Sequence, residues 1–262
     1  MRTTRRWWVG AALAACLLGG AAPASAQNIA VFGNNDIDDW LSSQGFTTTI
    51  VSDAQLATPG FLNSFSAFVY TRDGSSFGSG LSAAAAANVQ TYVGSTGNRV
   101  LFNGDFADGI LGDVQNRQLI KNAATWATGS GRGFIGEFNG AAAALTTNSN
   151  GFAPLNLVGG SAGPLGGGAG GSGGSINLTA AGTGHAVTSG VSFPYNSPNV
   201  EFGAQYTGVN PAFILATYDS GNAAIVAVQG VPEPISLALF APGLAVVGIL
   251  KRRKKSQETD EV

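Results

Sequence analysis

Sulfur, imidazole and charge are all scarce in these 262 residues. The chain holds one cysteine, one methionine and one histidine. Charged side chains make up 11% of it, against roughly 25% in an average soluble domain. Each shortage closes off a class of function. One histidine and one cysteine cannot supply the three or four Cys/His ligands of a zinc site. Cys16 stands near the N-terminus, so the rest of the chain has no disulfide and no thiol chemistry. Basic residues are missing where a nucleic acid would need them. Between residues 27 and 230 only Arg72, Arg99, Arg117, Lys121 and Arg132 occur, against 11 carboxylates, a net charge of about −6. Such a body repels a phosphate backbone, and nucleic acid is not an expected partner.

What is present is glycine, 39 residues of it, within a chain that is 44% apolar. That balance is globular, and the length suits one sizeable domain or two small ones. The expected body is thin-cored and loop-rich, with a surface of Ser, Thr, Asn and Gln.

Both ends carry targeting features. Arg2, Arg5 and Arg6 form a basic region, Trp7 to Leu18 a short apolar one, and Ala24-Ser25-Ala26 a small-x-small pattern. Residues 1–26 therefore read as a secretory signal helix cleaved after Ala26 by signal peptidase. A rival cleavage is Leu13-Ala14-Ala15-Cys16, which resembles a lipobox whose cysteine becomes a lipidated N-terminus.

At the other end stand Val231-Pro232-Glu233-Pro234, an apolar run over 235–250, the block Lys251-Arg252-Arg253-Lys254-Lys255, and a polar tail over 256–262. At about 1.5 Å per residue the run spans roughly 24 Å as a helix, short of the ~30 Å hydrocarbon core. Snorkelling of the basic side chains and local thinning can close that gap. The basic block marks the inner side and puts the domain outside. On physical grounds an ordinary single-pass anchor fits equally well.

Pro232-Glu233-Pro234, a short apolar helix and a basic cluster, in that order over 231–255, resemble the PEP-CTERM sorting signal. The resemblance implies recognition by an exosortase, a membrane transpeptidase of bacteria that make extracellular polysaccharide. It also implies processing near the motif, and release to the cell surface or matrix of a Gram-negative-type bacterium. The seven residues after the basic cluster depart from the usual pattern.

In the body, Asn28 to Gly33 reads as a buried first strand. Asp36 to Gln44 reads as a helix, with Ile37, Trp40 and Leu41 at helical spacing. Strand patterns follow at Phe46–Val51, Phe65–Thr71 and Arg99–Asn103. Helical patterns cover Leu81–Val93 and Asp113–Thr125. Periodicity fades after Thr128, and Gly159 to Ser175 reads as a flexible Gly-rich loop. Ala212–Tyr218 and Ala223–Val228 read as a late hairpin around Asp219–Asn222. Strands alternating with helices predict an α/β fold with a mostly parallel sheet. Its first strand, His185-Ala-Val-Thr-Ser-Gly-Val191 and Leu215-Ala-Thr-Tyr-Asp-Ser-Gly221 resemble the class I glutamine amidotransferase-like superfamily, which implies a flavodoxin-like three-layer sandwich over 27–230. Catalytic members carry a cysteine on a sharp turn after a central strand. The matching stretch here, Val100-Leu-Phe-Asn-Gly-Asp-Phe106, has none.

Three constellations bear on chemistry. Gly74-Ser-Ser76-Phe-Gly78 fits G-x-S-x-G after a strand, and Asp105 or Asp108 with His185 would complete a Ser/Asp/His order. Gly159–Gly163 and Gly170–Gly174 fit the same pattern, as a glycine-rich chain allows. His185 equally reads as a structural histidine at a turn. Gly131-Arg-Gly-Phe-Ile-Gly136 fits G-x-G-x-x-G but precedes a strand, so no dinucleotide cradle is expected. Asp36, Asp38 and Asp39 after the first strand, Asp73 after the third, and Asp105 and Asp108 after the fourth converge at one edge of a parallel sheet. There they are candidates for Ca²⁺, with helix capping and solvation as the plain alternative.

The expectation is an exported, non-catalytic surface or matrix protein that needs no cofactor. Its partners would be signal peptidase and exosortase in processing, the membrane through 235–250, and extracellular polysaccharide. The alternatives are a carbohydrate- or calcium-binding module, and a serine hydrolase of matrix material using Ser76 and His185.

Overall fold

The computed structural model describes residues 27–33, 35–71, 81–104, 106, 113–137, 161–163, 175–196 and 205–231. The chain enters β1 (Asn28–Phe32) and continues through α1 (Asn35–Ser43), β2 (Thr47–Ile50), α2 (Asp53–Leu56), a 3-10 turn (Phe61–Ser64) and β3 (Ala67–Tyr70). Next come α3 (Ala83–Val93), β4 (Arg99–Phe102), α4 (Val114–Thr128) and β5 (Gly133–Glu137). The remainder is mostly strand: β6 (Ser161–Gly163), β7 (Ile176–Leu178), β8 (Gln205–Thr207), β9 (Ile214–Tyr218) and β10 (Ala223–Val228), with 3-10 turns at Ala186–Thr188 and Pro211–Phe213.

Local chemistry starts the helices. Ser52 and Gln55 form a reciprocal capping box on α2. The Ser82 hydroxyl accepts the Ala85 N–H at the head of α3. The Asp113 carboxylate accepts from Gln115 N at 2.7 Å and Asn116 N at 3.2 Å at the head of α4.

Eight strands form one sheet in the order β2-β1-β3-β5-β4-β10-β9-β7. The first five are mutually parallel, and β10, β9 and β7 add on antiparallel. The fold is thus α/β with a parallel half. β9 and β10 make the hairpin that the Asp219–Asn222 turn chemistry predicts.

Handedness sets the layers. Right-handed crossovers put helices on one face when the chain moves one way along the sheet, and on the other face when it moves back. α1 and α4 belong to leftward steps and share a face. Ile37, Leu41, Leu119, Ile120, Ala123 and Ala127 are buried there against β1, β4 and β5. α2, the 61–64 turn and α3 belong to rightward steps, and Leu56, Leu62, Ala85, Val89 and Val93 fill the opposite core.

The parallel strands run 2-1-3-5-4 where the flavodoxin order is 2-1-3-4-5. β5 returns between β3 and β4 because α4 packs back toward α1. The Trp40 indole donates to the Arg117 carbonyl at 3.3 Å, and the Arg117 guanidinium lies 5.8 Å from the Trp40 ring centre. Phe134 then seats beside Phe68, ring centres 6.1 Å apart. Ser161–Gly163, inside the stretch expected to be a loop, forms β6 and pairs with β8.

The sheet has two distinct edges. The parallel strands end at an upper edge, reached also by the 219–222 turn. They begin at a lower edge, where β1 starts at Asn28 and β10 finishes at Val228, opposite Arg99. Among the described residues no helix is long and apolar enough to cross a membrane.

Candidate functional site

The upper edge is where the sequence places its acidic loops. Asp36, Asp38 and Asp39 follow β1 on α1, where the apolar spacing places a helix. Asp36 and Asp38 are two residues apart, about 200° round the helix, so they do not face one another. Because β5 separates β3 from β4, the ends of β1 and β4 stand three strand spacings apart, roughly 14 Å. Ala26, Ser76, Asp105, Asp108, Pro232 to Pro234 and Lys251 to Lys255 lie outside the described residues. Among the described residues no three His, Cys, Asp or Glu side chains group as metal ligands.

The upper edge is nonetheless acidic. Asp53 opens α2, Asp113 caps α4, Glu137 closes β5 and Asp219 begins the hairpin turn. Glu137 was not among the expected site residues, and no local pattern marks it. It arrives through the strand order alone.

Asn103, just past the end of β4, is wholly buried. Its N–H donates to the Ala224 carbonyl and its amide Nδ2 to the Ala223 carbonyl, both at 2.8 Å. The Tyr218 hydroxyl donates to its carbonyl. Asn103 therefore fastens β4 to the hairpin.

Beside it, Tyr195 donates to Asn116 Oδ1 at 2.9 Å. Burial, then the nearby Asp113 carboxylate, push that phenol far above its usual range. The segment carrying Tyr195 runs along α4. Ser192 N donates to Gln115 Oε1, and Asn122 Nδ2 donates to the carbonyls of Val187 and Ser189.

That segment starts with His185 at the lower edge, beside the C-terminal end of α4. The imidazole caps the 186–188 turn, its Nδ1 accepting from Val187 N at 3.1 Å, and meets Trp126 edge-on at 5.1 Å. Desolvation holds its pKa below the ordinary histidine value. β3, which leads toward Ser76, ends at the opposite edge. The expected Ser76–His185 pairing gains no support from this placement, whereas a structural histidine at a turn is what the geometry displays.

Two cavities open low on the molecule. One of about 500 Å³ is lined by Thr96, Asn98, Ser130, Arg132, Gln229 and Gly230, among others. A smaller one of about 290 Å³ lies between the 59–63 segment and α3, and Arg132 borders it too. Ser130 is committed to the fold: its hydroxyl accepts from Asn98 N and donates to the Ala127 carbonyl.

The chain leaves the body at this edge. Gly230 N donates to Asn98 Oδ1 and Val231 N to the Ser95 carbonyl, each at 2.9 Å. A Cβ on Gly230 would stand 1.9 Å from the Thr96 carbonyl oxygen, so only glycine allows this approach. Compared with known proteins, the chain matches no family model, no curated protein and no solved structure.

Proposed function

We propose that this chain is the precursor of an exported, non-catalytic surface or matrix protein, sorted by an exosortase through Pro232-Glu233-Pro234. The three-part order of the tail supports this reading. The observation that carries it furthest is the exit of the chain. The last strand ends at Val228, and Val231 leaves the body one residue before the motif. Every described core residue lies at or before Val228, ahead of the motif. The finer fold we propose is the amidotransferase-like sandwich, supported by two helical layers over a parallel half-sheet. The stretch Val100 to Phe106, which holds no cysteine, fits a relative that keeps the frame without the nucleophile.

The test is the intact mass of the native protein from surface, medium and membrane fractions. The expected species starts at Gln27 and ends near Pro232 to Pro234. A membrane species retaining 235–262 would replace the exosortase with a plain anchor.

A second reading draws on the acidic upper edge, namely a carbohydrate- or calcium-binding module. It expects Ca²⁺ to raise the Tm of the folded body, and a flat response removes the calcium version.

A further inference from the structure

The acidic residues are sorted across the sheet. Among the described residues Asp53, Asp113 and Asp219 belong to the upper edge, where β5 also ends at Glu137, and Asp36, Asp38 and Asp39 to the upper half of α1, while the basic Arg117 and Lys121 lie along α4. The lower edge, built from the 94–98 and 129–132 turns, the 179–185 segment and residues 229–231, has no carboxylate. It carries the exposed Arg132, and Arg99, whose guanidinium donates to the Gly94 carbonyl at 3.0 Å. Both ends of the body emerge here, at Gln27 before β1 and at Val231 after β10.

We propose that this lower edge is the face the body lays against the membrane, with phosphate-bearing lipid headgroups as its partner and the acidic edge turned away. The inference rests on reading 235–250 as the membrane-seated run with 251–255 on its inner flank.

Length enforces the orientation. Val231 is pinned to Ser95, and three residues separate it from Ile235. The four residue-to-residue steps from 231 to 235 reach at most ~14 Å. The headgroup layer takes about 5–8 Å of that, leaving the edge within about a Debye length of the lipid surface. Turning the upper edge to the lipid would need a tether as long as the strands, roughly 16 Å for five residues, before any headgroup is crossed.

Electrostatics favours the same pose. Guanidinium pairs with phosphate oxygens in a bidentate fork, whereas the acidic residues of the upper half outnumber Arg117 and Lys121 and would be repelled by anionic headgroups. Val231, 68% exposed, adds an apolar contact beside the tether.

The experiment uses the full chain with Cys16→Ser, carrying a fluorophore at Ser95→Cys (lower edge) or Ser220→Cys (upper edge). It is reconstituted in vesicles of anionic phospholipid with a quencher on the headgroups. The expected result is co-flotation with the vesicles and at least threefold stronger quenching at position 95 than at 220. Arg132→Glu should shrink that ratio without abolishing flotation. Flotation with equal quenching, or stronger quenching at 220, overturns the orientation while leaving the anchor intact. Failure to float overturns the membrane reading of 235–250 and the orientation with it. Shielding of position 95 only when the processing enzyme is present would overturn the lipid in favour of a protein partner.

Discussion

The Tyr218 hydroxyl reaches over β10 to donate its hydrogen bond to the main-chain carbonyl of Asn103, tying β9 to the end of β4 across 115 positions of sequence. Both residues are essentially without solvent contact. This polar clasp joins the parallel half of the sheet to the antiparallel half. Tyr218→Phe removes the donor and keeps the ring. Losing one buried hydrogen bond costs about 0.5–1.5 kcal/mol, and each kcal/mol is roughly 2–4 °C in Tm for a body of this size. Thermal unfolding of the two proteins compares them directly, and an unchanged Tm would show that the clasp carries no weight.

His185 should give stability a pH slope. Desolvation lowers its pKa in the folded state below the ordinary histidine value of 6.5, so the unfolded chain binds a proton first as pH falls. By linkage, stability is then lost as pH drops below about 6.5 and continues falling until the folded-state pKa is reached. His185→Asn keeps an acceptor for Val187 N and removes the titration. Denaturant midpoints at pH 7.5 and pH 5.5 should differ less in that variant than in the parent.

The strap at the lower edge answers to one side chain. Gly230→Ala would drive a Cβ into the Thr96 carbonyl, and backbone has to move to make room. The expected outcome is loss of the Gly230–Asn98 and Val231–Ser95 hydrogen bonds, at a cost of about 1–3 kcal/mol. Amide exchange should speed at residues 230 and 231 while β10 stays protected. Protection unchanged at both amides would mean that the strap tolerates a side chain.

Ser76→Ala is expected to leave any ester-hydrolase rate of the purified protein unchanged. The sole histidine of the chain serves as a turn cap at the far edge from the end of β3. A tenfold or greater drop would revive the hydrolase reading and call for another base.

How much of this was legible depends on range. The strands at β1, β3, β4, β9 and β10 and the helices α1, α3 and α4 follow from apolar spacing and glycine stops, which are local. β10 is buried at all six positions, and its run of Ala, Ile and Val announces two covered faces. α2 spans only four residues, and β6 to β8 three each, too short for any period to register. β6 lies in a glycine-rich stretch that reads as loop, since glycine has no side-chain pattern to display.

By itself the sequence determined which residues are apolar at which period, where the chain turns, and the composition of its two ends. Those depend on neighbours a few residues apart. Only the tertiary structure decided that β5 lies between β3 and β4, that Asn103 meets Tyr218, and that His185 packs on Trp126 far from the end of β3. It alone also brought both ends of the body out at the lower edge. These outcomes come from packing α4 onto the face of α1 and from the fixed hand of the crossovers. Such contacts join residues tens of positions apart, and no short window of the chain contains both partners.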